Sequence, residues 1–320
     1  MKKSFIAAGI MIISGAAAAA AAFALGAGRS DGPAEYKTET INAEKLHIIA
    51  EYNDISIVRG NELAITYPAG EDAVFSSFYE DGTYTAECGR RVYNVFGLEL
   101  DLSLDLDTND GSRTVRLEVP ESFDGSIAVE LPAGDAEISG LNCGLDIELS
   151  AGNINIKDCM DIKANAGAGN IYAESVSGNI ELVSSAGNIE IRDCSGNTVL
   201  YSNTGRIKAA GGTFENIECS AELGSIEAEN ISASNISLVN EKGDISCKNI
   251  RGNIAMKLDM GDITAENISG DRITADNSLG DIDLKINGSE QEYKVNGIGE
   301  SEKTVDTSNG VGETNIEFVQ

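Results

Sequence analysis

The sequence predicts an all-β fold, a two-sided β-solenoid with about 18 residues in each coil. The first observation is a motif of Gly, then Asn or Asp, then Ile, which returns near every ninth position. It occurs as Gly169-Asn170-Ile171 and again at 178–180 and 187–189. The second observation is that another apolar or small residue follows the Ile two places on. This period of two is typical of a strand with one buried face.

Each nine-residue unit divides into a strand of about five residues and a turn of about four. Glycine permits positive φ in the turn, and Asn or Asp tolerates the left-handed region beside it. A strand this short cannot bury its apolar face alone, whereas stacked copies can. The repeat therefore predicts a solenoid with Ile in the core and with Gly and Asn or Asp at the corners.

The longer spacing of the motif indicates how many strands make one coil. The variant Ala-Gly-Asn begins at Ala151, Ala168 and Ala186, which are 17 and 18 residues apart. A coil of three strands would repeat near 27 residues, and no such repeat is present. We therefore expect two strands per coil over residues 123–286, which gives roughly eight or nine coils and a length of about 40 Å. The calcium-binding nonapeptide roll is rejected, because each of its units requires Gly-Gly-x-Gly-x-Asp.

The region before the repeat has a different composition. Residues 39–122 are predicted to form an N-terminal β-sheet cap over one end of the solenoid, and they hold eight of the 17 aromatic residues. We interpret these aromatic side chains as core, because such side chains dominate small cores. Alternation of apolar and polar residues predicts strands at 55–58, 63–67, 98–106 and 114–119.

The region after the repeat is predicted to close the other end. Residues 287–320 lose the nine-residue spacing and are predicted to be C-terminal cap strands, with a loop at 300–303 and a final strand at 314–319. An open solenoid end needs such a cap, because unpaired strand edges associate with other chains.

An apolar stretch at the N-terminus predicts export. Lys2 and Lys3 precede apolar residues that run to about position 27, the order of charge and apolarity found in signal peptides. The stretch is also long enough to cross a bilayer. Residues 1–28 are therefore predicted to be a cleaved signal peptide or a transmembrane anchor helix, followed by a linker at 29–38. In both cases the leading positive charges predict an extracytoplasmic protein, secreted or anchored in the cell membrane.

Charge and turn length argue against several functions. The formal net charge is -29, and a surface this acidic repels phosphate backbones, which excludes nucleic acid as a partner. The single histidine, His47, lies among apolar residues at an ordinary strand position. Uniformly short turns leave no walls for a pocket. The sequence therefore predicts no enzyme, and it offers no catalytic, cofactor-binding or metal-binding residues.

Two further residue groups were weighed as metal sites. Asp105, Asp107, Asn109 and Asp110 resemble the start of a calcium loop, but the sixth position is Asp110 instead of Gly and the twelfth is Arg116 instead of Glu. We interpret this segment as an acidic hairpin turn. No cysteines form a Cys-x-x-Cys pair, which argues against zinc, and we expect them to be reduced core residues. The cysteines are Cys88, Cys143, Cys159, Cys194, Cys219 and Cys247.

Three segments before the main repeat carry a resemblance to a known family. They are Val-Arg-Leu-Glu-Val-Pro at 115–120, Ile-Ala-Val-Glu-Leu at 127–131 and Ala-Gly-Asp-Ala-Glu-Ile at 133–138. With the Gly-Asn/Asp-Ile units that follow, they resemble the bacterial DUF4097 family of β-strand-repeat proteins, also known as proposed adhesins, over roughly residues 40–320. The resemblance implies a surface-exposed, membrane-associated solenoid and supplies no established catalytic residues.

Three functions remain open from the sequence. The leading hypothesis is a non-enzymatic extracytoplasmic β-solenoid, an adhesin-like surface or envelope scaffold that binds an unknown surface ligand, protein or glycan. One alternative is an envelope-stress sensor whose acidic face binds cationic peptides. The other is a polysaccharide-active parallel β-helix enzyme, because acidic residues that could form a carboxylate pair are abundant. The membrane is a further partner if the N-terminal segment is not cleaved.

Overall fold

The computed structural model describes most of the chain after the N-terminal segment. Residues 1–34, which include the predicted signal peptide or anchor helix and most of the predicted linker, lie outside the described residues. The acidic turn at 105–110 also lies outside them. The described ranges are 35–70, 73–90, 93–95, 98–100 and 114–319.

The described residues are almost entirely strands, joined by short turns. A single 3-10 helix, Glu290–Glu292, lies among them. The strands are β1 (Glu35–Thr40), β2 (Lys45–Ala50), β3 (Ile55–Gly60), β4 (Ala64–Ala69), β5 (Ala73–Glu80), β6 (Thr83–Arg90), β7 (Tyr93–Val95), β8 (Leu98–Leu100), β9 (Val115–Pro120), β10 (Ser126–Leu131), β11 (Ala136–Ser139), β12 (Gly144–Ala151), β13 (Ile154–Lys157), β14 (Met160–Ala168), β15 (Ile171–Glu174), β16 (Ser177–Ala186), β17 (Ile189–Thr204), β18 (Ile207–Leu223), β19 (Ile226–Glu229), β20 (Ser232–Lys242), β21 (Ile245–Lys248), β22 (Arg251–Met260), β23 (Ile263–Ile268), β24 (Arg272–Leu279), β25 (Ile282–Asn287), β26 (Lys294–Val295), β27 (Thr304–Val311) and β28 (Thr314–Val319).

The strands stack in parallel and form two faces. We call the face made of the longer strands the broad face; in stacking order it contains β10, β12, β14, β16, the second half of β17, the second half of β18, β20, β22, β24 and β27. We call the opposite face the narrow face; it contains β11, β13, β15, the first half of β17, the first half of β18, β19, β21, β23, β25 and β28. Each coil therefore contributes one strand to each face.

The strand register gives the length of each coil. Neighbouring broad-face strands align residues that are 17 to 19 positions apart, where the sequence predicts about 18. Eight successive strands align Leu145, Ile162, Ile180, Thr198, Ile217, Ile236, Ile254 and Ile273. The predicted all-β solenoid is thereby confirmed.

The core lies between the two faces and follows the alternation of the sequence. In β12, Leu145, Ile147 and Leu149 are buried, while the residues between them are exposed. In β13, Ile154 and Ile156 are buried in the same way. Because side chains of a strand point alternately to its two sides, each coil places three side chains of the broad face against two of the narrow face. Stacked coils then bury these side chains along the whole axis.

The corner that leads from the broad face to the narrow face requires glycine. Gly169 has a φ of +145°, and a Cβ added there would lie 1.6 Å from the carbonyl oxygen of Gly152 in the preceding coil. The residue after each of these glycines forms a ladder. The Asn170 backbone N–H donates to Oδ1 of Asn153 at 3.1 Å, and the Asn188 N–H donates to Oδ1 of Asn170 at 2.9 Å. Side chains thus satisfy backbone donors that the turn leaves unpaired.

The narrow-face strands end in a different turn. In six coils one non-glycine residue of this turn adopts the left-handed conformation, with φ between +49° and +57°. Asn and Asp tolerate this conformation without the close backbone approach that demands glycine. The residues are Asp158, Ser175, Asp193, Asn230, Asn249 and Asn267.

The stack begins earlier in the chain than residue 123. Strands β2 and β3 pair in parallel with β10 and β11, and β6 and β9 stack on their other side. The chain therefore forms the coil of β2 and β3 first and the terminal coil of β6 and β9 next. It then returns to place β10 and β11 on the other side of β2 and β3. The predicted cap at 39–122 thus contributes coils of its own, and its described residues also form the antiparallel pairs β1–β4, β4–β9, β5–β6 and β7–β8.

The other end is closed by the last coil and an insertion. Strands β27 and β28 pair in parallel with β24 and β25, and β28 coincides with the predicted final strand. The insertion consists of residues 288–303, between β25 and β27. Its Tyr293 is buried, and the Tyr293 ring lies 5.6 Å from that of Phe318. The insertion thereby covers the last coil. Among the described residues, no helix has the length and apolar character that crossing a membrane requires.

All six cysteines are buried free thiols, which agrees with the expectation of reduced core residues. Burial raises the pKa of Cys88 and of Cys247 to about 12, and raises that of Cys143 to about 11. Because the thiolate is the reactive species, we expect no reaction of the folded protein with Ellman's reagent at pH 8 and reaction of all six thiols in guanidinium. Rapid reaction of any thiol in the folded protein would contradict this packing.

Candidate binding surface

The narrow face carries charges that pair with one another. The Lys285 Nζ donates to Oε1 of Glu266 at 3.0 Å, and this hydrogen bond lowers the pKa of the Glu266 carboxyl. The other pairs on this face are Lys157 with Glu174 at 3.4 Å, Arg192 with Glu190, and Lys208 with Glu227 at 3.5 Å and with Glu229 at 3.8 Å. Since most of these charges have a partner from the same or a neighbouring strand, this face offers little net charge to a ligand.

The broad face is where acidic residues accumulate. From β10 to β27 its acidic residues are Glu130, Asp146, Glu148, Asp161, Glu181, Glu215, Glu218, Glu222, Glu241, Asp259, Asp276 and Asp306. Its basic residues are Lys163, Lys242, Arg251, Lys257 and Arg272. The excess of acids favours cationic or neutral ligands here over anionic ones.

A shallow furrow crosses the first part of the broad face. It has a volume of about 560 Å³ and runs over β10, β12, β14, β16 and the second half of β17. Ala128 and Gly144 contribute small residues to its lining. Its polar lining residues are Ser126, Asp146, Asp161, Lys163, Asn179, Glu181 and Asn197. We call this feature the furrow.

A ladder of side-chain amides runs along one side of the furrow and continues beyond it. Nδ2 of Asn179 donates to Oδ1 of Asp161 at 3.2 Å. Nδ2 of Asn216 donates to Oδ1 of Asn197, and that of Asn235 donates to Oδ1 of Asn216, both at 2.8 Å. The ladder holds each amide in one orientation. An amide has two N–H donors and two acceptor sites, so groups remain for a ligand.

An apolar ridge lies at the opposite end of the broad-face strands, in the second half of the solenoid. It consists of Leu223, Met260, Leu279 and Val311, whose exposed fractions are 46, 48, 42 and 63%. Each is the residue before a corner glycine, and Lys242 holds the same position in the coil between Leu223 and Met260. We call Leu223, Lys242, Met260, Leu279 and Val311 the ridge.

Acidic residues flank the ridge on both sides. On the broad face, Glu222, Glu241 and Asp259 each precede a ridge residue. Past the corner glycine the ladder positions hold carboxylates: Oδ1 of Asp244 accepts the Asp262 backbone N–H at 3.0 Å, and Oδ1 of Asp262 accepts that of Asp281 at 2.8 Å. The ladder that follows the corner glycines, which is separate from the amide ladder beside the furrow, therefore keeps its geometry while its side chains change from amide to acid.

Of the residues considered as sites in the sequence analysis, the structure describes His47 and the six cysteines, and the acidic segment at 105–110 lies outside the described residues. His47 lies on β2, and its Nε2 is 2.9 Å from Oε1 of Glu130. Among the described residues, no group of three or more His, Cys, Asp or Glu is placed to hold a metal ion.

The aromatic residues of the N-terminal region are only partly core. Tyr67 and Tyr84 are buried, the Tyr67 ring stacks on Phe75 at 3.5 Å, and burial raises the pKa of Tyr67 to about 12. Phe78 and Tyr79 are exposed, which corrects the interpretation of the whole group as core. They lie on β5, which pairs only with β6 among the described strands.

The sequence analysis does not identify the ridge, although the sequence contains a signal for it. The residue before the corner glycine is Ala151, Ala168 and Ala186 in the first half of the repeat. In the second half it is mostly a large apolar residue, as in Met260-Gly261 and Leu279-Gly280. Only the structure shows that this position is exposed and aligned from coil to coil.

Comparison with known proteins places the chain in a family. The family model described as Toastrack DUF4097 matches residues 99–310, which is more than half of the chain. The chain belongs to the DUF4097 family. A comparison of this DUF4097 protein with curated proteins finds no match.

Several solved structures are similar to this DUF4097 protein. A proposed adhesin from Parabacteroides merdae is 14% identical with a TM-score of 0.43, and the match covers 91% of this chain and 98% of that one. A proposed cell adhesion protein from Clostridium sporogenes is 11% identical with a TM-score of 0.28, covering 89% and 100%. A proposed lipid binding protein from Parabacteroides distasonis is 12% identical with a TM-score of 0.36, covering 91% and 98%.

Proposed function

We propose that this protein is a non-enzymatic, extracytoplasmic binding protein of the bacterial envelope, with an adhesin-like role. The observation that carries the proposal is the furrow, an open surface that crosses five strands and is lined in part by polar side chains. The export signal that the N-terminal sequence predicts supports the location. The furrow is shallow and open, which suits contact with an extended polymer more than enclosure of a small molecule.

The chemistry of the furrow favours a neutral glycan chain as its ligand. Five strands make four steps of about 4.8 Å, so the furrow is about 19 Å long and holds several units of a polymer. The amides of Asn179 and Asn197 and the carboxylates of Asp146 and Glu181 can donate to or accept from sugar hydroxyls. The acidic broad face disfavours anionic polymers. A glycan that lies along the solenoid axis would therefore meet a repeated set of polar groups.

Filling the furrow tests the proposal. In the Gly144→Leu variant the new side chain enters the furrow, and a Cβ at this position meets no atom within 4 Å. We expect sedimentation with peptidoglycan sacculi or insoluble neutral polysaccharides to weaken by at least about tenfold. The matched control is Ser237→Leu, which adds the same side chain on the same face outside the furrow. Equal binding by the two variants and the unmodified protein would overturn the furrow as the site.

Two alternative functions predict different outcomes in the same assays. The excess of acids on the broad face favours the capture of cationic peptides, as in an envelope-stress sensor; this binding would collapse with salt and be indifferent to Gly144→Leu. The enzyme alternative rests on Asp146 and Glu181, which lie in the furrow on either side of Lys163. Release of soluble oligosaccharides that is lost in Asp146→Asn and Glu181→Gln would establish it.

A further inference from the structure

The ridge has features that the solenoid fold does not require. In the first half of the repeat its position is filled by Ala, and the adjacent ladder position by Asp135, Asn153, Asn170 and Asn188. The coils there close with the same register and the same ladder hydrogen bonds. The large exposed apolar side chains in the second half therefore contribute something other than folding.

From this ridge we infer that the second half of the solenoid docks a basic amphipathic helix of a partner protein. Exposed apolar residues in one line favour an apolar partner surface, since burial of apolar area away from water stabilises the complex. Carboxylates on both sides of the ridge favour cationic groups on both sides of that partner surface. They belong to Glu241 and Asp259 on one side and to Asp244, Asp262 and Asp281 on the other. A helix with one apolar stripe between two rows of Lys or Arg meets both demands.

The spacing of the ridge favours a helix over an extended chain. Ridge residues follow one another at the strand spacing of about 4.8 Å, close to the 5.4 Å pitch of an α-helix. An apolar stripe on a helix therefore offers about one side chain to each coil, whereas same-side residues of an extended strand are roughly 6.8 Å apart. The ridge covers four steps, about 19 Å, which corresponds to about 13 helical residues. A helix of three to four turns would span it.

Lys242 is the one ridge residue that opposes such a partner. It holds the position between Leu223 and Met260, where its aliphatic stem continues the apolar line while its ammonium group repels a basic helix. Its replacement by an acid should therefore improve binding, an outcome that a merely structural ridge would not produce.

The test uses a model helix of about 15 residues with a Leu stripe between two rows of Lys, and a scrambled peptide of the same composition. We expect saturable binding of the first peptide by the folded protein, weakened at least about tenfold in Met260→Ser with Leu279→Ser. Lys242→Glu should strengthen it. Asp262→Asn keeps the ladder oxygen and removes one charge, and should weaken binding by about threefold. Val199→Ser, an equally exposed apolar residue outside the ridge, is the control and should change nothing.

Three results would overturn the inference. Equal affinity for the two peptides would show attraction by charge alone, and binding unaffected by the ridge substitutions would place the helix elsewhere. Adsorption of the protein to phosphatidylcholine vesicles, lost in the ridge variant, would make the ridge a lipid contact. The furrow variant Gly144→Leu should leave helix binding intact, so the two proposals fail independently.

Discussion

Gly169→Ala is expected to lower the free energy of unfolding by about 3 kcal/mol or more. The φ of Gly169 is +145°, a conformation that side chains rarely adopt. A Cβ would also lie 1.6 Å from the carbonyl oxygen of Gly152, so the two coils would have to move apart. Urea unfolding followed by circular dichroism would measure the loss, and hydrogen exchange would locate the opening at neighbouring coils.

The control is Gly144→Ala in the same solenoid. A Cβ at Gly144 meets no atom within 4 Å, and alanine has the better propensity for an ordered backbone. We expect this variant to keep the stability of the unmodified protein within about 0.5 kcal/mol. If both substitutions were equally harmless, the close stacking of the corner glycines would be wrong.

Leu238→Ala is expected to cost about 2 to 5 kcal/mol. Leu238 is fully buried in the middle of β20, and the register places it between Cys219 and Met256 of the adjacent strands. Removal of its side chain leaves a cavity that both neighbouring coils border. A shift of the urea midpoint with an unchanged slope would report this loss.

Val199→Ala provides the comparison for Leu238. Val199 lies on the outer side of the broad face and is 45% exposed, so its truncation should change stability by less than about 0.5 kcal/mol. A similar loss at the two positions would mean that the assignment of inner and outer side chains is incorrect.

The regular part of the fold could be predicted from the sequence because every coil has the same steric requirements, which repeat along the chain. Every coil needs an Ile such as Ile171 in the core and a glycine such as Gly169 at the corner, so periodicity alone indicates both. The turn at the end of each narrow-face strand could not be predicted from the sequence, because left-handed residues such as Asp158 and Ser175 share no single residue type. Their common feature is conformational and appears only in the folded chain.

The first coils were missed because they lack the motif. Strands β2 and β3 have the same alternation as the later coils, but residues 51–54 between them contain no glycine. The return of the chain past β6 and β9 depends on contacts distant in sequence, which a local pattern cannot indicate.

Buried polar residues were also beyond sequence reasoning. Ser202 and Asn240 occupy core positions where Leu149 and Leu258 lie in other coils. The Ser202 hydroxyl donates to the Gly187 carbonyl at 3.2 Å, and Nδ2 of Asn240 donates to that of Gly224 at 2.9 Å. These partners lie 15 and 16 residues away at the corners. A polar residue in an apolar alternation gives no hint of such a partner.

The binding surfaces show the same limit. The acidic composition predicts a negative protein, but it does not predict that the charges of the narrow face pair while those of the broad face remain in excess. The furrow and the ridge arise from residues about 18 positions apart that the register brings into line. Their identification needed the coil length and the inner or outer side of each position.

The measurement that tests the two-strand coil most directly is a distance between spin labels on the outer side of the broad face. Asp146→Cys and Thr274→Cys place labels in one column separated by seven coil steps, and the buried native thiols should remain unlabelled. Pulsed electron resonance should give one narrow distribution near about 34 Å between the two sites. A distance near about 23 Å, expected of three strands per coil, or near about 67 Å, expected of one, would contradict the structure described here.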